Sequence, residues 1–459
     1  MKSKKNLTRR EFLTLAGTAA AASAVAACAP AGTTLPTSAP APTSAAAAPT
    51  AAATQAVAAP TVLKPRTVRI AVGGWAEQNM KDLLAKTDFA KQTGITPEIV
   101  LRTDTKETEL TRLASAVQAG TSPYDVIDFE DELTTTFSRA GYVIGLDDLL
   151  PSGFWDDFSK AMVDYSKTWS TYNGETFRII HNWEMPYWWY RKDWFDQKGV
   201  QVPTTWDEVK AMGKVFTDES KGVWASIDGL IKGAFLNVYL AWITLQAGGN
   251  PFDVGPEYKT ALEYIHDLMY TSKVLNPASL QTDYNQQNAA YIADKVAFMR
   301  QWPFFGDVAR SKDNEAWFKE DKVVVALPPV GPGGKGGSTY AAAWGWGIVK
   351  TSPNLDAAKD TIKFLTDKNW GVSAMQLPTP AFWFLSARKS TLDAAPQDNW
   401  LVKQLKMYTD AGVIGVRPFH PKFVEALTVL EDTASAYLTN QISLDDSLKQ
   451  AKDGLAKLG

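Results

Sequence analysis

A regular alternation of short strands and amphipathic helices dominates the chain between Thr67 and Asp131. Apolar strands are predicted at Thr67–Val72, Pro97–Leu101 and Tyr124–Phe129. A helix is predicted from about Gln78 to Gln92, ending at Gly94. A second helix is predicted from an apolar stripe with i, i+3, i+4, i+7 spacing that ends before Gly120. Strands that alternate with helices favour parallel pairing, so this pattern predicts an α/β fold built on a doubly wound sheet.

Polar and aromatic residues follow each of these strands. Ligands of doubly wound sheets bind outside the carboxyl ends of the strands. The residues predicted at those ends are Trp75, Glu77, Arg102, Asp104, Glu130 and Asp131.

The later part of the chain is richer in helical patterns. The run Thr205-Trp206-Asp207-Glu208 has the form of a capping box and predicts the start of a helix. Further helices are predicted at Ala261–Tyr270 and from apolar stripes at Phe423–Leu430 and Leu444–Leu455. The run Val323–Leu327 is predicted to form a strand.

Residues 1–27 have the layout of an export signal. A basic start is followed by an apolar, alanine-rich run from Phe12 to Ala27, which is typical of a secretory signal peptide. The segment Thr8–Leu13, with Arg9 and Arg10 adjacent, resembles a twin-arginine signal. A chance arginine pair in an ordinary Sec signal is the alternative interpretation.

Val25-Ala26-Ala27-Cys28 resembles a lipobox, in which the cysteine is lipidated and becomes the mature N-terminus. Cys28 is the only cysteine in the chain, so an intramolecular disulfide is impossible. The tract that follows, Ala29–Val62, is almost wholly Ala, Pro, Thr and Ser, a composition that buries too little surface to fold. Residues 28–65 are therefore predicted to be a lipidated cysteine with a disordered spacer, which anchors the protein to the outer face of the cell membrane.

Charge and motif content argue against several classes of function. The chain has 47 Lys and Arg against 50 Asp and Glu. Cleavage before Cys28 removes five basic residues and one acidic residue, which leaves 42 basic against 49 acidic residues and a formal charge of −7. With no basic stripe, a nucleic-acid partner is not expected.

The three histidines, His181, His266 and His420, lack metal-ligand spacing, so neither a metal nor a cofactor is predicted. The glycine-rich run at 331–337 fails the Walker pattern and is interpreted as a flexible loop.

Several sequence blocks, in order, resemble the family 1 extracellular solute-binding proteins, the group of maltose- and trehalose-binding proteins. The match extends over nearly all of the chain from Thr67 onward. The blocks are Tyr124–Ile127, Arg139–Tyr142, Leu146–Leu149, Tyr190–Phe195, Thr205–Glu208, Ala297–Pro303, Ala342–Ile348 and Pro353–Lys359.

This resemblance implies two lobes joined by crossing segments, with a ligand between them. The crossings are expected near Arg178–Asn182, Tyr340–Trp344 and Phe384–Arg388. The first lobe would then comprise residues 66–178 plus 343–384, and the second lobe residues 182–338 plus 388–459.

The resemblance also implies roles for individual residues. Glu184 falls where the family has a sugar-binding carboxylate, Trp302 and Trp344 where it has stacking aromatics, and Arg417 where some disaccharide binders have a contacting arginine. Either Glu130 or Asp131 falls where a carboxylate usually lies. The complete set of predicted ligand-binding residues is Trp75, Glu77, Glu130, Asp131, Glu184, Trp302, Trp344, Trp346 and Arg417.

A high tryptophan content supports a sugar ligand independently, since the chain has 17 Trp. Indole rings match the flat C–H faces of sugars, and carboxylates match their hydroxyls. We therefore predict a monomeric, non-enzymatic lipoprotein that captures a carbohydrate and delivers it to the permease subunits of an ABC importer. Alternatives left open by the sequence are a binder of a non-sugar solute such as a polyamine, an exported glycoside hydrolase with paired carboxylates, and a passive carbohydrate adhesin.

Overall fold

The computed structural model describes residues 66–102, 105–233, 235–332, 339–377, 385–386 and 388–459. The predicted signal peptide, Cys28 and the spacer lie outside the described residues. So do Asp104, most of the glycine-rich loop and Phe384 of the third predicted crossing.

The strands in these ranges are short. They are β1 (Arg66–Val72), β2 (Ile95–Leu101), β3 (Val126–Glu130), β4 (Thr171–Tyr172), β5 (Glu175–Thr176), β6 (Ile179–Ile180), β7 (Tyr187–Arg191), β8 (Trp224–Ser226), β9 (Val296–Gln301), β10 (Val323–Ala326), β11 (Thr339–Ala341), β12 (Trp344–Ile348) and β13 (Ile414–Val416).

The α-helices cover more of the chain than the strands. They are α1 (Glu77–Lys86), α2 (Phe89–Thr93), α3 (Lys106–Gln118), α4 (Thr134–Arg139), α5 (Lys160–Trp169), α6 (Lys192–Lys198), α7 (Trp206–Phe216), α8 (Leu236–Gln246), α9 (Pro256–Tyr270), α10 (Tyr284–Ile292), α11 (Phe305–Ala309), α12 (Leu355–Leu365), α13 (Lys368–Met375), α14 (Lys389–Ala394), α15 (Trp400–Ala411), α16 (Phe423–Leu438) and α17 (Leu444–Ala456).

A five-stranded sheet has the order β2-β1-β3-β12-β6. The first three strands are parallel, as predicted, and β12 runs antiparallel to both of its neighbours. Strand β1 lies inside the sheet, and its residues Val68, Ile70 and Val72 are fully buried. The prediction of an α/β fold is confirmed, and the predicted parallel pairing holds for β2, β1 and β3 but not for β12.

A second sheet of four strands has the order β10-β7-β9-β8. Its strand β7 contains the aromatic run of the sequence, and both Trp188 and Trp189 are fully buried. The indole nitrogen of Trp189 donates to the Gln301 carbonyl at 2.9 Å, which satisfies its polar atom inside the core. Most of this aromatic run is therefore structural.

Two helix boundaries lie where the sequence predicted them. Thr205 and Glu208 form a capping box at the start of α7, and α3 is followed by Gly120 with a φ of 67°. The single helix predicted from Gln78 to Gln92 is wrong, because Asp88 adopts a left-handed φ of 50° and divides it into α1 and α2. A non-glycine residue rarely adopts that conformation, so the sequence offered no signal for the break.

Three chain segments meet between the two sheets. The Glu184 amide donates to the Ala342 carbonyl at 3.1 Å, and the Ala342 amide donates back at 2.8 Å. The amide of Trp183 donates to the Leu385 carbonyl at 2.8 Å. The chain passes from β6 to β7 through the first of these segments, and from β11 to β12 through the second. The proposed lobe boundaries stay a prediction, but the first segment connects the five-stranded sheet to the four-stranded sheet.

Candidate ligand-binding site

The carboxyl ends of β1 and β3 place aromatic and acidic residues at one edge of the five-stranded sheet. A 3-10 turn after β1 carries Trp75, which is 46% exposed. Strand β3 ends at Glu130, and a 3-10 turn beginning at Asp131 follows it. Since β1 and β3 are parallel neighbours, these two ends lie on the same side of the sheet.

An aromatic corner forms where β12 begins. Trp344 pairs in register with Glu130, and its ring lies 5.3 Å from that of Trp75 in an edge-to-face arrangement. The Arg102 guanidinium lies 4.7 Å from the centre of the Trp344 ring. Both indoles are partly exposed, so this corner offers ring surface to a ligand.

A network of ion pairs lies beside the aromatic corner. Lys106 contacts Glu130 at 2.7 Å and also pairs with Glu132. Arg417 contacts Asp131 at 2.7 Å and also pairs with Glu132. Burial raises the pKa of Glu132, but the charges of Lys106 and Arg417 outweigh it and bring that pKa down to about 2. Each of the three carboxylates of this network thus contacts at least one of the two cations.

Glu184 differs from its acidic neighbours in having no such partner. Its side chain is buried, and among the described residues no basic nitrogen lies within ion-pair distance of it. Burial, followed by the nearby charges of Glu130 and Asp131, raises its pKa to about 8, against a hydrogen bond from the Trp344 side chain. At neutral pH the Glu184 carboxyl is therefore mostly protonated and can both donate and accept a hydrogen bond.

Trp302 lies at the end of β9 in the other sheet. Its indole nitrogen donates to the Tyr284 hydroxyl at 3.1 Å, and its ring lies 6.2 Å from that of Tyr340. Arg417 in turn lies 5.9 Å from the Tyr340 ring, which connects Trp302 to the ion-pair network. Trp302 is partly exposed, so its ring is also accessible.

Two residues of the predicted set are not brought into this group. Glu77 forms an i,i+4 ion pair with Lys81 along α1. Trp346 is fully buried inside the five-stranded sheet, where its ring lies 4.7 Å from that of His181. The other seven predicted residues are connected by the ring contacts, ion pairs and hydrogen bonds described above, with Arg417 buried and Trp75 the most exposed.

A charged pair next to Trp302 was missed by the sequence analysis. Arg300 contacts Asp228 at 2.9 Å, and both side chains are almost fully buried. Burial lowers the pKa of Arg300 to about 10 despite the opposite charge of Asp228. One signal was available, because an arginine directly after the apolar run Val296–Met299 needs a buried partner. The position of that partner, 72 residues earlier, was not visible.

Two sheets joined by crossing segments define a two-lobed fold. Residues 74–371 match the family described as bacterial extracellular solute-binding protein. This chain belongs to that family, as its sequence blocks predicted. The family consists of extracellular binding proteins, so the protein belongs to an exported class.

Solved structures support the same fold. The maltose-bound MalE3 of T. maritima is 23% identical, with a TM-score of 0.71 over 86% of this chain and 100% of that one. The GacH receptor of Streptomyces glaucescens, solved with acarbose, is 19% identical, with a TM-score of 0.70 over 86% and 99%. A substrate-binding protein of Listeria monocytogenes in complex with cycloalternan is 18% identical, with a TM-score of 0.69 over the same shares.

None of the helices in the described part of the chain is both long enough and apolar enough to cross a bilayer.

Proposed function

We propose that this protein captures a neutral carbohydrate between two lobes and delivers it to the permease of an ABC importer. The observation that carries the proposal is the set of partly exposed indole rings beside the acidic residues. Glu130, Asp131 and Glu132 each contact Lys106 or Arg417, and the pKa of Glu184 is raised to about 8. A cationic ligand would therefore have to compete with Lys106 and Arg417 for these carboxylates.

The aromatic residues suit the same class of ligand. Trp344 and Trp75 offer ring surface at one end of the site, and Trp302 offers it at the other. Sugar C–H faces pack on such rings while their hydroxyls bond to carboxyl groups. Related structures were solved with maltose, acarbose and cycloalternan, which are all carbohydrates.

A polyamine binder would require a different balance of charge. A ligand with several ammonium groups needs ionised carboxylates without partners. Glu184 is the one buried carboxyl of the site that lacks a cation, and its raised pKa leaves it mostly neutral. Family membership likewise supports binding rather than glycoside hydrolysis.

Anchoring and export are part of the same proposal. Residues 1–27 would direct export by the twin-arginine route, and a lipid on Cys28 would hold the protein at the membrane. The Ala/Pro/Thr/Ser tract to residue 65 would then act as an extended spacer between the membrane and the lobes.

A thermal-shift screen tests the ligand class. The panel contains glucose, maltose, cellobiose and longer oligosaccharides beside putrescine and spermidine. A ligand at 100 times its Kd stabilises the folded protein by about 2.7 kcal/mol. We expect at least one neutral sugar to raise the Tm. Stabilisation by a polyamine alone would contradict the proposal.

A further inference from the structure

The segment after β13 belongs to the half of the structure that contains the four-stranded sheet. Arg417 directly follows β13, and α16 begins a few residues later. Helix α16 packs against α8 and α9. Its residues Leu430 and Leu438 are buried in the same apolar cluster as Trp188 of β7. Arg417 is therefore attached to the four-stranded sheet through α16.

The partners of the Arg417 side chain lie on the other half. Asp131 and Glu132 follow β3, a strand of the five-stranded sheet. The Arg417 guanidinium contacts Asp131 at 2.7 Å and also pairs with Glu132. The side chains of Arg417, Asp131 and Glu132 are 7%, 3% and 9% exposed. Hydrogen bonds from a guanidinium to carboxylates are charge-assisted and comparatively strong. This buried group of charges therefore joins the two halves directly.

A second contact between the halves involves Trp169, at the end of α5. The Thr134 hydroxyl donates to the Trp169 carbonyl at 2.8 Å, which ties Trp169 to α4 on the five-stranded half. The Trp169 indole nitrogen donates to the Arg417 carbonyl at 3.1 Å. The rings of Phe419 and Phe423 lie 5.1 and 4.8 Å from the Trp169 ring, both edge to face. We call Arg417, Phe419 and Phe423 the clasp.

Asp131 is also held from its own side. The Tyr165 hydroxyl donates to Oδ2 of Asp131 at 2.9 Å, whereas Arg417 contacts Oδ1. The Arg178 guanidinium donates to the Tyr165 hydroxyl at 3.1 Å and to the Ala343 carbonyl. Arg178 and Ala343 adjoin β6 and β12 of the five-stranded sheet. The orientation of Asp131 therefore has supports that do not include Arg417.

We propose that the clasp latches the two lobes together in the closed protein, and that its contacts break when the lobes open. The inference rests on the two-lobed capture proposed above and adds that the chain itself supplies part of the closing free energy. A hinge moves two bodies as nearly rigid units, so the contacts that join them are the ones that separate. Arg417 and Asp131, both predicted as sugar contacts, then act mainly on each other across the lobes.

The latch favours closure by a limited amount, because opening returns its charged groups to water. One charge-assisted hydrogen bond changes an equilibrium constant by about tenfold. Without the latch, a closing constant of about ten with sugar bound would fall to about one, so that about half of the bound molecules would be open. A protein that opens more often still binds the sugar but releases it faster.

Small-angle scattering of the whole protein with Arg417→Met tests the latch. Maltose, cellobiose and their longer oligosaccharides are the probes, each added at about 100 times its measured Kd so that parent and variant are equally occupied. We expect the sugar to reduce the radius of gyration of the variant by about half as much as that of the parent. An arginine that acts only by contacting the sugar would lower the affinity but leave the radius at full occupancy equal to that of the parent.

Phe419→Ala provides a second test, because Arg417→Met leaves two buried carboxylates and destabilises the fold. Phe419 is 37% exposed, and its truncation removes one ring contact across the lobes. We expect incomplete contraction in this variant too. The control is Val424→Ala, which truncates an exposed apolar residue of α16 and should contract as the parent does. Melting curves without sugar establish which variants fold, and Phe419→Ala decides the result where Arg417→Met does not.

The outcomes separate the latch from the proposed function. Incomplete contraction in the clasp variants, with full contraction of Val424→Ala, supports the latch. Full contraction of folded Arg417→Met and Phe419→Ala overturns it and leaves carbohydrate capture intact. A parent that binds sugar without contracting also overturns it, because there is then no closing step. Failure of all these sugars to bind overturns the proposed function and the latch together.

Discussion

Replacing Glu184 with glutamine should change how the stability of the ligand-free protein depends on pH. The buried carboxyl has its pKa raised from 4.5 to about 8, first by burial and then by Glu130 and Asp131. Between these two values the unfolded chain has released the proton and the folded protein still holds it. Stability therefore falls as pH rises through this window.

The size of the effect follows from the width of the window. One pKa unit corresponds to about 1.4 kcal/mol, so a rise from 4.5 to about 8 costs the parent about 5 kcal/mol above pH 8. Glutamine keeps the shape and does not ionise, so Glu184→Gln is free of this cost. That is a large share of the about 5–15 kcal/mol that stabilises a typical domain.

Urea denaturation at pH 5, 6.5, 8 and 9 measures the difference between parent and variant. We expect the variant to gain several kcal/mol on the parent between pH 5 and pH 9. Glu263→Gln, an exchange at an exposed position on α9, serves as the control and should show no such trend. A parent–variant difference that stays constant across this range would refute the reasoning.

The other predictions concern the site, its closure and export. Trp344→Ala and Trp302→Ala should each weaken sugar binding about tenfold to a hundredfold by calorimetry; intact affinity in folded variants would remove these rings from the site. Small-angle scattering should show a smaller radius of gyration with sugar bound, because two lobes joined by a hinge close around a ligand. An unchanged radius would favour a passive adhesin. Cys28→Ala should move the protein out of the membrane fraction, and continued fractionation with membranes would rule out a lipid anchor. Replacing Arg9 and Arg10 with lysine should stop export, whereas normal secretion would indicate a Sec signal.

The sequence predicted those parts of the fold that depend on local periodicity. Strands β1, β2 and β3 and their parallel pairing follow from short apolar runs separated by helices. The capping box at Thr205 is local as well, because its two partners lie three residues apart. The break at Asp88 could not be predicted, since it depends on a backbone conformation that aspartate seldom adopts.

The grouping of candidate residues was predictable where they lie at strand ends. Trp75, Glu130 and Trp344 meet because two parallel strands end, and antiparallel β12 begins, at one edge of the sheet. Trp346 shows the limit of such reasoning. It lies two residues after Trp344 on the same face, but the sheet interior covers it completely, whereas the strand end leaves Trp344 partly exposed.

The ion pairs between residues far apart in the sequence could not be predicted. Arg300 meets Asp228 across two separate elements, and Arg417 meets Asp131 and Glu132 from almost the other end of the chain. The raised pKa of Glu184 also depends on residues distant in sequence, because Glu130 and Asp131 lie near it only in the folded protein.

Calorimetric titration of the purified protein at pH 7 tests the central claim most directly. The best sugar from the screen is titrated in parallel with spermidine, each into the parent protein and into Glu184→Gln. We predict one sugar per chain, with a Kd in the micromolar range or tighter, a moderate loss in the variant, and no heat from spermidine. Tight binding of spermidine that Glu184→Gln abolishes, with no sugar bound, would contradict it.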